Sequence, residues 1–328
     1  MRRRVLLPGG ILTALVALFS IGSYGTSYWF PWQEKKRVGV TNALHDYWKE
    51  SNHDALNGIV SLGYHAVKFW PRVPYLSTDM RKVYSAPSID VIALRPLQNA
   101  TLEVGCNGWD YFRWENIDYG QVASGLFANY ATQDKLIILT GWEADWQIKG
   151  LACSGAPTQQ QINSFVQMLD ARQAGIQAAR ANYPNALLKV VHAVEINKAT
   201  TGSGFSVLDD VLPLLAEPPD MISYSAWEVS ASGLQNKLSL IRSASGLHTL
   251  QIFIGEYGFN YTDPNAATKV YDFGSKALDW GVPFVFYWWY RGDFPNGTHQ
   301  LINGTYPNIT PTANNVGLTN LRNAYDNY

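Results

Sequence analysis

Charge is scarce in this sequence. Asp, Glu, Lys and Arg make up 16% of its 328 residues, against about 25% in an average soluble domain. The 25 basic side chains are offset by 26 acidic ones, for a net charge of -1. Nothing is left over to neutralise a phosphate backbone, so no nucleic-acid partner is expected. Cysteine is almost absent, with Cys106 and Cys153 the two in the whole chain. CxxC and HExxH patterns are missing, and the six histidines, His45, His53, His65, His192, His248 and His299, show no ligand spacing. No metal site is therefore expected, and the reading needs no organic cofactor. A G-x-S-x-G elbow is missing too, which argues against a serine hydrolase. Beyond the N-terminal segment no apolar stretch approaches 18 residues, so no later segment is expected to span a membrane.

Apolar side chains, by contrast, reach 47%, which excludes disorder and supplies a large core. Tryptophan and tyrosine are abundant, at 12 and 19. Each offers a flat apolar face with one polar handle, suited to stacking on a flat hydroxylated ligand such as a sugar. The chain starts MRRRVLLPGGILTALVALFSIGSYGTS, three arginines ahead of an apolar run from Val5 to Ile21 that Pro8, Gly9 and Gly10 interrupt. Residues 1–27 read as a secretory signal peptide or an uncleaved signal anchor, with a first core helix as the bland alternative. Ser23-Tyr24-Gly25 matches a small-x-small cleavage site poorly. The expected location is secreted, periplasmic or extracellular, with membrane attachment only through such an anchor, and the expected state is a monomer. Export would allow Cys106 and Cys153 to pair; two unrelated buried thiols are the alternative. Sequons begin at Asn99, Asn260, Asn296, Asn303 and Asn308, and they matter only in a glycosylating host.

Past residue 36, short β-rich runs alternate with longer helix-compatible ones, the pattern of α/β proteins with parallel strands. Strands are read at Arg37–Asn42, Ala66–Trp70, Asp90–Arg95, Lys135–Trp142, Leu187–Ile196, Met221–Trp227, Leu250–Tyr257 and Pro283–Tyr290. Helices are read near Asp46–Ser61, Thr78–Ser85, Gln121–Ala131, Gln159–Tyr183, Val207–Leu215, Leu234–Ser245, Ala266–Trp280 and Leu318–Asn327. Ile162, Phe165, Met168 and Leu169 follow the i, i+3, i+4 stripe of a packed helix. Eight pairs predict an α/β fold, a (β/α)8 TIM barrel, with residues 28–328 as its single catalytic domain. A doubly wound sheet is the alternative, but no G-x-G-x-x-G follows a strand. Long loops are expected after the third strand, where Trp109, Tyr111, Phe112, Trp114 and Tyr119 cluster, and after the eighth. The first is either a satellite core or a wall of a sugar cleft; the second either covers the cleft or is a surface loop.

Barrel chemistry sits at the C-terminal ends of strands. Two glutamates stand there after strongly apolar runs, Glu143 after Ile137-Ile138-Leu139-Thr140-Gly141-Trp142 and Glu256 after Ile252-Phe253-Ile254-Gly255. A carboxylate in such a place needs a partner or a task, because its desolvation is expensive. On strands four and seven the two face each other across the barrel mouth. Carboxyl groups about 5 Å apart act as acid/base and nucleophile of a retaining glycosidase. Asp145, Glu195, Glu228 and Asp293 also lie near strand ends, and Glu195 with Glu228 is the rival pair. His192 is either a substrate contact or a satisfied core histidine.

The segments Gly141-Trp142-Glu143 and Ile254-Gly255-Glu256-Tyr257-Gly258 resemble the retaining (β/α)8 glycoside hydrolases of clan A, the cellulase- and mannanase-like members above all. The resemblance implies a β-glycosidase acting on a polysaccharide or oligosaccharide, endo-acting in view of its aromatic walls. It implies Glu143 as acid/base and Glu256 as nucleophile. It further implies that Tyr224 hydrogen-bonds the nucleophile, and that Trp288 or Trp289 floors the subsite where the bond breaks. Lys68 stands where many members carry a strand-two arginine, without that residue's bidentate reach. Trp142 replaces the asparagine that contacts the sugar 2-hydroxyl, leaving that contact to His192 or Asn197, or to a substrate that differs there. A carbohydrate-binding barrel without activity and a transglycosylase using the same pair are the other readings.

Overall fold

The computed structural model describes residues 37–42, 52–71, 76–96, 117–149, 155–202, 204–290, 299–305 and 308–326. The N-terminal segment 1–27, Cys106 with Cys153, Asp293 and the aromatic loop up to Trp114 lie outside the described residues.

Eight parallel strands close into a barrel in chain order: β1 (Arg37–Asn42), β2 (Ala66–Phe69), β3 (Val91–Leu94), β4 (Leu136–Thr140), β5 (Lys189–Ile196), β6 (Met221–Ser225), β7 (Ile252–Tyr257) and β8 (Phe284–Trp288). The helices described are α1 (Asn52–Ser61), α2 (Thr78–Ser85), α3 (Tyr119–Tyr130), α4 (Ala144–Gln147), α5 (Gln159–Ala181), α6 (Val207–Asp210), α7 (Leu234–Ser245), α8 (Ala266–Trp280) and α9 (Ala313–Tyr325). The fold is the expected (β/α)8 barrel. The strands read as unbroken apolar runs because both faces are buried, one inside the barrel and one under the helices. On α5 the expected stripe holds: Phe165 and Leu169 are buried, with Ile162 and Met168 packed against the same core.

Several boundaries differ from the sequence reading, for local reasons. The strand expected to reach Trp142 stops at Thr140, so Glu143 sits in the loop and starts α4 at its N-cap. The helix read over Val207–Leu215 breaks into α6 and a single 3-10 turn, Leu212–Leu214. Pro213 there has no N–H to continue the helix. The closing helix starts at Ala313, where Asn314 and Asn315 are buried polar residues that hide its first turn from a hydropathy pattern. After β8, the chain forms an antiparallel hairpin of β9 (Ile302–Thr305) and β10 (Asn308–Pro311).

The barrel interior is graded from one end to the other. Near the N-terminal end and the middle it is filled by Ala66, Val91, Ala93, Leu136, Ile138, Val191, Ala193, Met221, Phe253, Phe284 and Phe286. Gly39 leaves the room that Phe286 uses, since a Cβ there would lie 2.7 Å from the Phe286 ring. At the N-terminal end Arg37 Nη2 donates to Asp90 Oδ2 at 2.8 Å, joining β1 to the start of β3. Two residues further along each strand the interior turns polar. Thr41 is in register with Lys68 and Trp288, and Glu195 with Ser223. An apolar plug thus closes the barrel below a polar layer at its C-terminal mouth, the end where barrel enzymes carry their chemistry.

Candidate active site

Glu256 reaches the mouth through an irregularity in β7. Tyr224 pairs with Ile254 and the next residue, Ser225, with Glu256, so β7 carries one residue more than β6 at this point. The register against β8 shifts in the same stretch. Such a bulge re-aims side chains, and here Gly255 and Glu256 both meet groups from the interior. Gly255 is required by the close approach: a Cβ would lie 1.8 Å from Ser223 Oγ and 2.8 Å from Glu195 Oε2.

Lys68 is the centre of the polar layer, fully buried. Its ammonium donates to Glu195 Oε2 at 2.6 Å, to Glu256 Oε1 at 2.9 Å and to the Gly255 carbonyl at 3.4 Å. Three protons meet three acceptors. Burial pulls the Lys68 pKa down, but the charges of Glu195 and Glu256 outweigh it and raise the value above 10.5. Lys68 therefore stays a cation. Ser223 and Ser225 donate to Glu195 at 2.8 and 3.3 Å, leaving that carboxylate enclosed by donors from two strands.

Glu143 enters from the loop after β4 and is buried. Its pKa is raised well above the usual carboxylate range, first by burial, then by the charges of Glu256 and Glu195, while Lys68 and a hydrogen bond with Ser225 pull it back. Glu256 is raised as well, first by burial, and less far because Lys68 and Arg95 oppose the rise. The two glutamates thus share one buried site with unequal proton affinities, as acid/base work requires.

Aromatic rings gather at the same end of the barrel. Trp288 and Trp289 stack at 4.9 Å, with a cis peptide between them, and Trp70 lies 5.2 Å from Trp288. The Arg95 guanidinium sits over Trp70 at 4.4 Å and over Trp142 at 5.3 Å. Trp227 is 41% exposed, and its indole Nε1 donates to Glu256 Oε2 at 3.5 Å. Trp70, Arg95, Trp227, Ser223 and Ser225 were not singled out from sequence. The strand-end positions of Trp70, Arg95 and Trp227 are the one signal that pointed to them.

Two expected site residues lie elsewhere. Tyr224 faces the helices, and its hydroxyl donates to Glu228 at 3.2 Å rather than to Glu256. His192 also faces outwards, its Nδ1 3.1 Å from Gln173 Oε1 on α5 and its ring edge-on to Tyr119. Burial lowers its pKa to about 3, so it is a neutral core histidine. Strand alternation explains both: on β5 and β6 the interior positions are Val191, Ala193 and Glu195, then Met221, Ser223 and Ser225. The rival pair is divided the same way, since Glu228 lies on the outer side, accepting from Ala199 N and pairing with Lys237 at 3.5 Å. Asp145 and Asn197 serve the loops: Asp145 accepts from the backbone N–H of Asn197, Lys198 and Val207.

No protein-family profile and no curated sequence matches the chain. Solved structures do. A broad-specificity endoglucanase of glycoside hydrolase family 5 from Clostridium cellulovorans superposes with a TM-score of 0.61 at 13% identity, covering 92% of this chain and 97% of its own. A family 5 enzyme from Prevotella bryantii, in complex with a xyloglucan tetradecasaccharide, gives 0.58 at 13% identity, over 90% and 97%. A xyloglucan-specific endo-β-1,4-glucanase from a metagenomic library, in complex with cellotriose, gives 0.55 at 12%, over 90% and 99%. The chain has the fold of these clan A glycoside hydrolases.

Proposed function

We propose that this chain is a retaining β-glycosidase, an exported monomer that cleaves a β-linked polysaccharide or oligosaccharide from within. The observation that carries the reading is the convergence at the C-terminal mouth of two buried glutamates, Glu143 from the loop after β4 and Glu256 on β7 against Lys68 and Trp227. Protonated Glu143 gives its proton to the leaving glycosidic oxygen while ionised Glu256 attacks the anomeric carbon. Lys68 orients Glu256 through Oε1, leaving Oε2 towards Trp227. Once the first sugar has left, Glu143 takes a proton from water, and the hydroxide replaces Glu256 with net retention.

Trp288 floors the subsite of bond cleavage in this reading, and Trp227 borders it. The substrates named for the structural neighbours, xyloglucan and cellotriose, make β-1,4-linked glucans the first class to test. Wild type and Glu256→Ala are compared on β-glucans, xyloglucan, mannans, xylans and arabinans, with the product anomer followed by NMR. Activity lost in the variant and a product of retained configuration support the proposal. An inverted product removes the assigned pair. Binding without turnover makes the protein a carbohydrate-binding barrel.

A further inference from the structure

We infer that Glu195 is a positioning residue whose negative charge, delivered through Lys68 and Ser225, sets the pH range in which Glu143 and Glu256 hold their working protonation states. The inference rests on the function proposed above for that pair. Glu195 projects from the end of β5 into the polar layer, is 1% exposed, and has a donor on every side. Lys68 comes from β2, and Ser223 and Ser225 from β6. The chain also gives up a side chain at Gly255 to make room beside Glu195. A charge so enclosed is not a surface ornament. One carboxylate fewer would still leave Lys68 paired with Glu256.

The connectivity shows what Glu195 does. Lys68 divides its charge between two carboxylates, and the shorter contact, 2.6 Å against 2.9 Å, goes to Glu195. Glu256 therefore receives only part of an ammonium that would otherwise be its own. On the other side, the Ser225 hydroxyl carries one proton and faces both Glu195 and Glu143. The share of that proton given to Glu195 is withheld from Glu143, which favours the protonated acid. The groups facing this cluster are Lys68 from β2, Arg95 after β3, Glu143 after β4 and Glu256 on β7, two cations and three carboxyls with Glu195. With Glu143 protonated the set is neutral. The charge of Glu195 raises both Glu143 and Glu256, so its loss moves both in the same direction.

The test separates charge from shape. Glu195→Gln keeps the shape and removes the charge; Glu195→Asp keeps the charge and shortens the reach. Both are checked for native circular dichroism and Tm before use. Glu195→Gln is expected to move both limbs of the kcat/KM against pH profile towards acid, by about one pH unit for removal of a nearby like charge, while Glu195→Asp keeps the wild-type limbs at lower kcat. A structural role predicts the reverse order, with the Gln variant near wild type and neither profile displaced, and that result overturns the inference. Titration of the glutamate carboxyls by 13C NMR, assigned with Glu143→Gln and Glu256→Gln, reads the same displacement without any substrate. A chain that turns over no glycan refutes the proposed function, whereas unchanged carboxyl titration in Glu195→Gln refutes this inference alone. Should Glu195→Gln fail to fold, Ser225→Ala carries the test by the same titration. Loss of the Ser225 hydroxyl removes its remaining donation to Glu143 and must displace Glu143 upwards, opposite to Glu195→Gln, and an unmoved Glu143 overturns the role given to Ser225.

Discussion

Lys68 and Glu256 are joined by a 2.9 Å ion pair that lies wholly inside the barrel. Removing one partner of a buried pair leaves the other charge unbalanced, at a cost of about 3–5 kcal/mol. Lys68 also serves Glu195, so Lys68→Met strands two carboxylates. Lys68→Met is expected to unfold more easily at neutral pH and to lose the proposed glycosidase activity by at least about 100-fold, the scale for losing one preorganised charge contact. Lys68→Arg restores charge without the three-acceptor geometry and is expected to recover stability better than kcat. Urea denaturation and steady-state kinetics of the two variants check this; a Lys68→Met enzyme with wild-type kcat defeats it.

Gly255 supplies a second test of the same layer. A methyl group here meets Ser223 Oγ and Glu195 Oε2, both held in hydrogen bonds, and Ser223 cannot give way without abandoning Glu195. Gly255→Ala is expected to destabilise by about 1–3 kcal/mol, as overpacking does, and a Gly255→Ala, Ser223→Gly double variant is expected to recover part of that loss. Denaturation midpoints of the three proteins decide the matter. Equal losses in the single and double variants contradict the clash.

Glu143 predicts a pH dependence of stability with a definite sign. The unfolded chain holds its proton only up to the ordinary value of 4.5, whereas the folded chain holds it to higher pH. Between those values the native state binds more protons than the unfolded state, so its stability falls as pH rises. Glu143→Gln removes that titration. Its Tm is expected to match wild type below the unfolded pKa and to exceed it increasingly from about pH 5 to about pH 8. Parallel melting curves across that range test the sign, and a difference independent of pH rejects it.

Much of the scaffold was legible because a barrel strand buried on two faces reads as an apolar run, as Ile137 to Leu139 and Ile252 to Ile254 do. Glu143 and Glu256 stood out because each interrupts such a run with a charge. The same two-faced burial hides which side chains point inwards. Tyr224 and Ser223 are both fully buried on β6, one against helices and one in the mouth, and hydropathy does not separate them. The extra residue on β7 compounds the difficulty, since it re-aims Glu256 at a point no pattern marks. Glu195 shows the remaining limit: its inward neighbours Val191 and Ala193 are ordinary barrel fillers, and its partners come from β2 and β6.

The outward turn of Tyr224 makes a prediction that separates this chain from its family resemblance. A tyrosine bonded to the nucleophile would cost activity when lost. Here the hydroxyl serves Glu228, beside Lys237. Tyr224→Phe is expected to keep kcat/KM within about twofold and to lose about 1 kcal/mol of stability, the worth of one hydrogen bond. A drop in kcat beyond tenfold would mean that the hydroxyl reaches Glu256 during turnover.

Trp227 carries the opposite expectation. Its indole is 41% exposed beside a buried carboxylate, its N–H points to Glu256 Oε2 at 3.5 Å, and its ring meets His299 edge-on at 5.6 Å. A large aromatic face open to solvent at the mouth suits a sugar ring, and the N–H adds a weak hold on Glu256. Trp227→Phe keeps the apolar face and removes the N–H, so KM is expected to stay within about twofold while kcat falls. Trp227→Ala removes both, and KM is expected to rise about tenfold for roughly 1.4 kcal/mol of lost stacking. Kinetics on a soluble oligosaccharide resolve the two roles, because stacking acts on KM and the N–H on kcat. If Trp227→Ala leaves KM unchanged, the ring lies outside the sugar path, and Trp288 and Trp70 are left as the aromatic surfaces of the cleft.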